Sequence, residues 1–144
     1  MASRVTVHLW LFAGLVALWA AVAAPAQAQQ SSAAPLTQAQ LDQLVAPIAL
    51  HPDPLLSQML MASTYPTEVV QAARWARENP SLTGQALQKQ PWDPSVKALT
   101  AVPQALEMMS DKLDWTQQLG DAFLAQQDEV LAAVQRLRLR AEAA

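Results

Sequence analysis

Few residues in this chain have side chains suited to catalysis, and their spacing matches no catalytic motif. The 144 residues include no cysteine, which excludes thiol nucleophiles, cysteine-ligated zinc and iron–sulfur clusters. No Gly-x-Ser-x-Gly motif occurs, and His51 is the only histidine after His8. Asp53 lies two residues from His51, but in Asp53-Pro54 it is better explained as a helix N-cap. Catalytic zinc needs three protein ligands, which this spacing does not supply. We therefore predict no metal, no cofactor and no catalytic residue.

Three aspartates recur at intervals of seven residues, at Asp114, Asp121 and Asp128. Seven helical residues rise about 10.5 Å, whereas calcium binds oxygens at roughly 2.3–2.6 Å, so two of these carboxylates cannot share one ion. We expect them to form a solvated helix face. Carboxylate pairs that hydrolyse glycosides meet in space rather than in sequence, so a catalytic pair elsewhere stays open.

Arginines alternate near the C-terminus, at Arg136, Arg138 and Arg140. On a helix the first and last share a face, while Arg138 points about 200° from Arg136. The run is therefore not expected to form one anion-binding patch. It predicts a favourable interaction with the negative end of the last helix dipole.

Large aromatic residues are the remaining candidates for a functional surface: Tyr65, Trp75, Trp92 and Trp115. We expect such residues to lie in the core, because they dominate small cores. Trp92 follows Pro91 in a loop and is expected to be the most exposed of them. Tyr65 and Trp92 both lie at turns, where aromatic side chains can anchor a partner, and they are our candidate partner-binding residues.

The elements that position these residues are predicted to be short helices. Nine prolines lie between positions 35 and 103 and none follows, which favours short helices before 103 and a longer helical region after it. Thr37 and Gln40 fit a capping box, and Asp53-Pro54 and Asp93-Pro94 are helix starts. No stretch alternates as a strand does. The predicted fold class is all-α, a compact bundle of six or seven mostly short helices with a longer C-terminal helix.

Two further features concern the helices. Gly120 lies in the last helical region and is a possible break, since glycine costs about 1 kcal/mol relative to alanine in a helix. Asp-Pro, helix, Pro, helix, Trp occurs twice, with tryptophans at Trp75 and Trp115. Because the proline spacings differ, we interpret this as a recurrence of the signals for a helix hairpin rather than as a solenoid.

The N-terminus has the layout of a secretory signal peptide. Arg4 precedes a charge-free stretch from Leu9 to Ala24, and Ala26-Gln27-Ala28 is a small-x-small cleavage site. The alternative is a membrane anchor, but a membrane-spanning helix needs roughly 20 apolar residues and the stretch from Leu9 to Ala24 is shorter. We predict a signal peptide at 1–28, a flexible leader at 29–36, a helical domain at 37–140 and a tail at 141–144. Removal of Arg4 leaves eight basic and twelve acidic residues. That balance disfavours nucleic acid as a partner.

Several strings in the predicted domain resemble the bacterial family called domain of unknown function 3300. They are Ala46-Pro47-Ile48-Ala49-Leu50, Pro52-Asp53-Pro54-Leu55-Leu56, Ala62-Ser63-Thr64-Tyr65-Pro66, Ala72-Ala73-Arg74-Trp75, Pro91-Trp92-Asp93-Pro94-Ser95-Val96-Lys97-Ala98-Leu99, Met108-Met109-Ser110-Asp111-Lys112-Leu113-Asp114-Trp115 and Leu119-Gly120-Asp121-Ala122-Phe123-Leu124-Ala125-Gln126-Gln127. The resemblance implies an exported protein of Gram-negative bacteria, with no established activity and no catalytic residues to carry over. His51 stands where the family tends to have tyrosine. Many members also continue into a low-complexity tail, whereas this sequence stops at Ala144, so either the protein lacks that tail or the sequence is truncated.

Two functions follow as hypotheses. The first is a non-catalytic binding or scaffolding module of the cell envelope, located in the periplasm, with an envelope protein or glycan as partner and no membrane span after signal cleavage. The alternative is an envelope hydrolase that acts on peptidoglycan or a related glycan through a carboxylate pair.

Overall fold

The computed structural model describes residues 34–81 and 84–144, and the predicted signal peptide lies outside them. Within these ranges the chain forms eight α-helices and no strand, which confirms the all-α prediction. The helices are α1 (Gln38–Val45), α2 (Asp53–Ala62), α3 (Pro66–Glu78), α4 (Gln85–Gln88), α5 (Pro94–Leu99), α6 (Pro103–Asp111), α7 (Leu113–Ala125) and α8 (Gln127–Ala143). The C-terminal helix is the longest, as predicted. None of the described helices is long and apolar enough to cross a membrane.

Helix α1 begins at the predicted capping box. The Thr37 backbone N–H donates to Gln40 Oε1 at 2.9 Å, and the Gln40 N–H donates to Thr37 Oγ1 at 3.3 Å. The reciprocal bonds satisfy two donors that a helix start leaves unpaired. Leu41, Leu44 and Val45 are buried, and α1 ends ahead of Pro47.

The two Asp-Pro pairs start their helices differently. Asp93 is the N-cap of α5, and its Oδ1 accepts from the Ser95 N–H at 2.9 Å and from the Ser95 hydroxyl at 2.6 Å. The same role was wrong for Asp53, because α2 begins at Asp53 itself and Pro52 is its N-cap, with no side-chain cap bond. The Asp53 carboxylate instead accepts from Arg138 Nη1 at 2.6 Å.

Two helix hairpins, α2–α3 and α5–α6, form the centre of the fold and share one corner geometry. Ser63 (φ −62°, ψ −20°) follows α2, and Thr100 (φ −63°, ψ −23°) follows α5 with nearly the same backbone angles. Each hydroxyl donates to the carbonyl three residues earlier. Proline then opens the second helix, at Pro66 and Pro103. Helix α2 packs mainly on α5, and α3 packs mainly on α6.

Helix α7 runs through Gly120, so the possible break there does not occur. Gly120 is buried against the corner between α2 and α3, and a Cβ at this position would overlap the Ser63 carbonyl group. Glycine is therefore needed for close approach of two helices, not to end one. The break falls instead at Gln126 (φ −138°, ψ 48°), whose side chain bonds both the N–H and the carbonyl of Leu36.

One hydrophobic core joins the helices, and α8 closes it by packing on α1. Its largest fully buried side chains come from both hairpins and from the flanking helices: Leu41, Ile48, Met59, Leu99, Leu106, Met109 and Leu119. The predicted apolar positions of the last region, Val130 and Val134, are buried as well. Two salt bridges hold α8 to α1, since Arg136 and Arg140 both contact Asp42, at 2.6 and 3.0 Å.

Candidate functional site

The loop before α5 is fixed to α3 by side chains from one face of that helix. Trp92 Nε1 donates to Gln71 Oε1 at 3.3 Å, and the Asp93 N–H donates to Glu68 Oε2 at 2.7 Å. The rings of Trp75 and Trp92 meet edge to face with centroids 5.8 Å apart, a favoured arrangement for aromatic pairs. The structure thus brings the loop and the helix that follows Tyr65 into one cluster.

The exposure predicted for Trp92 was wrong. Only 7% of this residue is exposed, because its ring packs on Trp75 and its indole N–H finds a partner on α3. Tyr65 has the opposite outcome, since it is 41% exposed rather than buried in the core. Trp75 and Trp115 are partly buried against the core, as expected of them. Of the two candidate partner-binding residues, only Tyr65 presents substantial surface to solvent.

The Tyr65 hydroxyl lies near the carboxylate of Asp93. The negative charge of Asp93 raises the pKa of Tyr65, and burial, the hydrogen bond to Asp93 and the charge of Glu68 add to the shift. The pKa of Asp93 is lowered, chiefly by the hydrogen bond from the Ser95 hydroxyl, although burial opposes the shift. Asp93 therefore stays ionised at neutral pH while its carboxylate lies near Tyr65 and caps α5.

Glu68 and Asp93 are neighbouring carboxylates, so they are relevant to the hypothesis of a hydrolase. A glycosidase of that type needs one carboxyl group that keeps its proton near neutral pH, and this requires a raised pKa. Asp93 has a lowered pKa, and Glu68 accepts the backbone N–H of Asp93 itself. The arrangement suits the positioning of a loop better than proton transfer.

The other polar groups singled out from the sequence are engaged in structure or exposed. Arg138 donates to the carbonyls of Ala49 and His51, both at 2.8 Å, as well as to Asp53. The arginine run therefore contacts α1 and the turn after it, so the expectation of a simple dipole interaction was incomplete. The aspartates at 114, 121 and 128 are exposed, as predicted, but they do not share one helix face, since Asp114 and Asp121 lie on α7 and Asp128 lies on α8. Among the described residues, no three metal-ligating side chains lie together.

A groove of about 450 Å³ opens beside this cluster, between the C-terminal half of α3, α4 and the corner of the second hairpin. Its size falls within the usual range of ligand pockets, roughly 300–1,000 Å³. Most of the lining is apolar, from Ala73, Ala76, Leu87, Pro103 and Leu106. Trp75 contributes to the wall, and the charged residues Arg77 and Glu107 come from α3 and α6.

Sequence reasoning did not find this groove, because its lining consists of residues that usually fill a core. Alanines at 73 and 76 predicted only close helix packing, and Leu87 predicted only a short helix. The available signal was indirect: an alanine face on α3 needs a partner. Helix α6 packs on α3 and Ala73 is buried, whereas Ala76 is only half-buried and borders the groove.

These features define a small helical domain in which the polar side chains named above hold helix ends and loops, beside an open apolar groove. The chain belongs to the family described as "Protein of unknown function (DUF3300)", whose sequence model matches residues 37–144, and this confirms the resemblance seen in the sequence. "Uncharacterized protein YacH" of Escherichia coli (strain K12) is 50% identical over 134 residues, which cover 90% of this chain and 22% of that protein. The chain thus spans about a fifth of the relative's length. No solved structure matches it.

Proposed function

We propose that this chain is a non-catalytic binding or scaffolding module of the bacterial cell envelope, exported to the periplasm. Export is supported by the charge, apolar and Ala-x-Ala layout of residues 1–28. The match to the E. coli relative covers more of the chain than residues 37–144 comprise, so part of this N-terminal segment is shared.

Export has a direct test. The intact mass of the protein in a periplasmic fraction is expected to correspond to a chain that begins at Gln29. A mass that includes residues 1–28, found in the membrane pellet, contradicts this part of the proposal.

Binding is supported above all by the groove, which is the observation that carries the proposal. It is apolar, open and of the size of a ligand site. The carboxylate pair beside Tyr65, in contrast, is occupied by hydrogen bonds that fix a loop. Binding to a surface of this kind is favourable because apolar contacts exclude water, and it needs no reacting group.

Photo-crosslinking in living cells tests the binding function. A photoreactive amino acid at Ala101, in the groove, is compared with the same residue at Ala98, an exposed alanine of α5 outside the groove lining. We expect a discrete adduct with one envelope protein or glycan from position 101 and none from 98. No adduct from 101, together with turnover of purified peptidoglycan that Glu68→Gln abolishes, would establish the hydrolase instead.

A further inference from the structure

The two hairpins are equivalent at their corners in backbone and in hydrogen bonding. With a shift of 37 positions, Ser63, Tyr65 and Pro66 correspond to Thr100, Val102 and Pro103. Tyr65 (φ −123°, ψ 57°) and Val102 (φ −126°, ψ 72°) have nearly the same backbone angles. The N–H of each donates to the carbonyl three residues earlier, at 2.9 Å in both hairpins. A helix packed against one corner is therefore a template for a helix packed against the other.

Helix α7 occupies the first corner. It packs on α2 and α3 and also on α6, the second helix of the other hairpin. Gly120 lies directly on the carbonyl of Ser63, and Leu119, the preceding residue, is fully buried. Ser63 is buried at this contact. Helices α1 and α8 also pack on α7, but the part of its seat that the two hairpins supply is one corner plus the second helix of the opposite hairpin.

When the roles of the two hairpins are interchanged, the position equivalent to the seat of α7 is the groove. The groove is lined by the corner residues Thr100, Ala101 and Pro103, and by α3, the second helix of the opposite hairpin. Thr100, the equivalent of the buried Ser63, is only half-buried, and Ala101 is exposed. Along the described chain, α4 borders this seat only through Leu87.

We propose that the groove is a second helix seat, and that its occupant is an α-helix of a partner protein with glycine at the point where it crosses Thr100. This rests on the binding function proposed above and names the chemistry of the partner. By analogy with Leu119 and Phe123 around Gly120, the partner helix carries large apolar residues one position before and three positions after the small one. Its remaining face is polar, since the groove opens to solvent.

The test uses a synthetic peptide with the sequence of residues 112–126, which contains α7, and the purified, isotope-labelled protein. Backbone amide shifts are followed by NMR during a titration with the peptide. We expect saturable shifts at Thr100, Ala101 and Leu106. A peptide with Gly120→Leu, whose side chain would meet the corner, should bind at least about tenfold more weakly.

Matched variants of the protein locate the site. Ala101→Arg should weaken binding of the peptide about tenfold or more, because it places a bulky charge in the groove, whereas Ala98→Arg should leave the affinity unchanged. Shifts confined to Ser63 and Thr64, which would show exchange with α7 in its own seat, overturn the proposal. So does the absence of any shift at millimolar peptide. In that case an adduct from position 101 in cells would still support a binding module, for a partner that is not helical.

Discussion

At the scale of single residues, the same dipeptide has two structural roles, and a neighbour two positions on decides between them. Asp93 is followed by Pro94 and Ser95, and the serine supplies both an N–H and a hydroxyl to the carboxylate. At the same distance from Asp53 stands Leu55, which has no hydroxyl to offer. The Asp-Pro signal thus predicted where each helix begins. The local Ser95 decides the role of Asp93, whereas Asp53 is engaged by Arg138, which the fold brings to it.

Removal of these two carboxylates should have unequal effects. Asp93→Ala is expected to lower the free energy of unfolding by about 0.5–2 kcal/mol, the usual effect of losing an N-cap. Asp53→Ala should cost less, within about 1 kcal/mol, because Asp53 is 79% exposed and forms a surface ion pair. Urea denaturation of both variants measures the difference. Equal losses, or a larger loss for Asp53→Ala, would contradict the assignment of the cap.

Tyr65 provides a direct readout of the cluster because it is the only tyrosine in the chain. Asp93→Asn removes the charge that chiefly raises the Tyr65 pKa, so the pKa of the phenol should fall toward its ordinary value of 10.0. Glu68→Gln should lower it less, since the charge of Glu68 contributes least. The absorbance of tyrosinate measured against pH gives both values. An unchanged pKa in Asp93→Asn would show that the two side chains are not in contact in solution.

At the scale of helices, prolines and caps predicted most boundaries, whereas the sequence left open whether a helix continues through Gly120. The starts of α1, α3, α5 and α6 coincide with a capping box or with proline. Gly120 has no such local meaning, because the reason for it is the Ser63 carbonyl, 57 residues earlier. A close helix crossing leaves no periodic signal in the sequence, so the sequence alone could not decide whether the helix continues there.

Gly120→Ala should destabilise the protein, although alanine is the better helix former. Propensity favours alanine by about 1 kcal/mol, but a methyl group forced against backbone atoms costs about 1–3 kcal/mol. We expect a lower melting temperature for Gly120→Ala. Gln117→Ala, at an exposed position of the same helix, is the control and should stay within about 0.5 kcal/mol of the native protein. If Gly120→Ala raises the melting temperature, α7 does not cross this corner as described.

At the scale of the whole molecule, ion pairs join α1 and α8, which are far apart in the sequence. Arg136 donates to Asp42 at 2.6 and 3.0 Å, and this bond is the main reason why the pKa of Asp42 is lowered, with burial opposing it. The arginines and their helix were evident from the sequence, but their partner on α1 was not, since an ion pair across 94 positions has no local pattern.

This ion pair predicts a specific response to acid. The folded-state pKa of Asp42 lies below its ordinary value of 3.8, so the ion pair contributes fully to the free energy of unfolding above pH 3.8. This contribution is lost as the pH falls through the folded-state pKa. Asp42→Asn should therefore be less stable than the native protein near neutral pH, and the difference should shrink at about pH 3. Urea midpoints at the two pH values measure this. Asp121→Asn is the exposed control, and a difference for Asp42→Asn that grows in acid would contradict the pairing.

The central claim is that function lies in the apolar groove and not in the carboxylates. The most direct measurement is the yield of a photo-crosslinked adduct from position 107, which lines the groove. The yield is compared in living cells between versions of the protein that each carry one further substitution. We predict that the adduct persists with Glu68→Gln and with Ala98→Arg and disappears with Ala101→Arg, at equal levels of folded protein. An adduct that Glu68→Gln abolishes and Ala101→Arg leaves intact would contradict the claim.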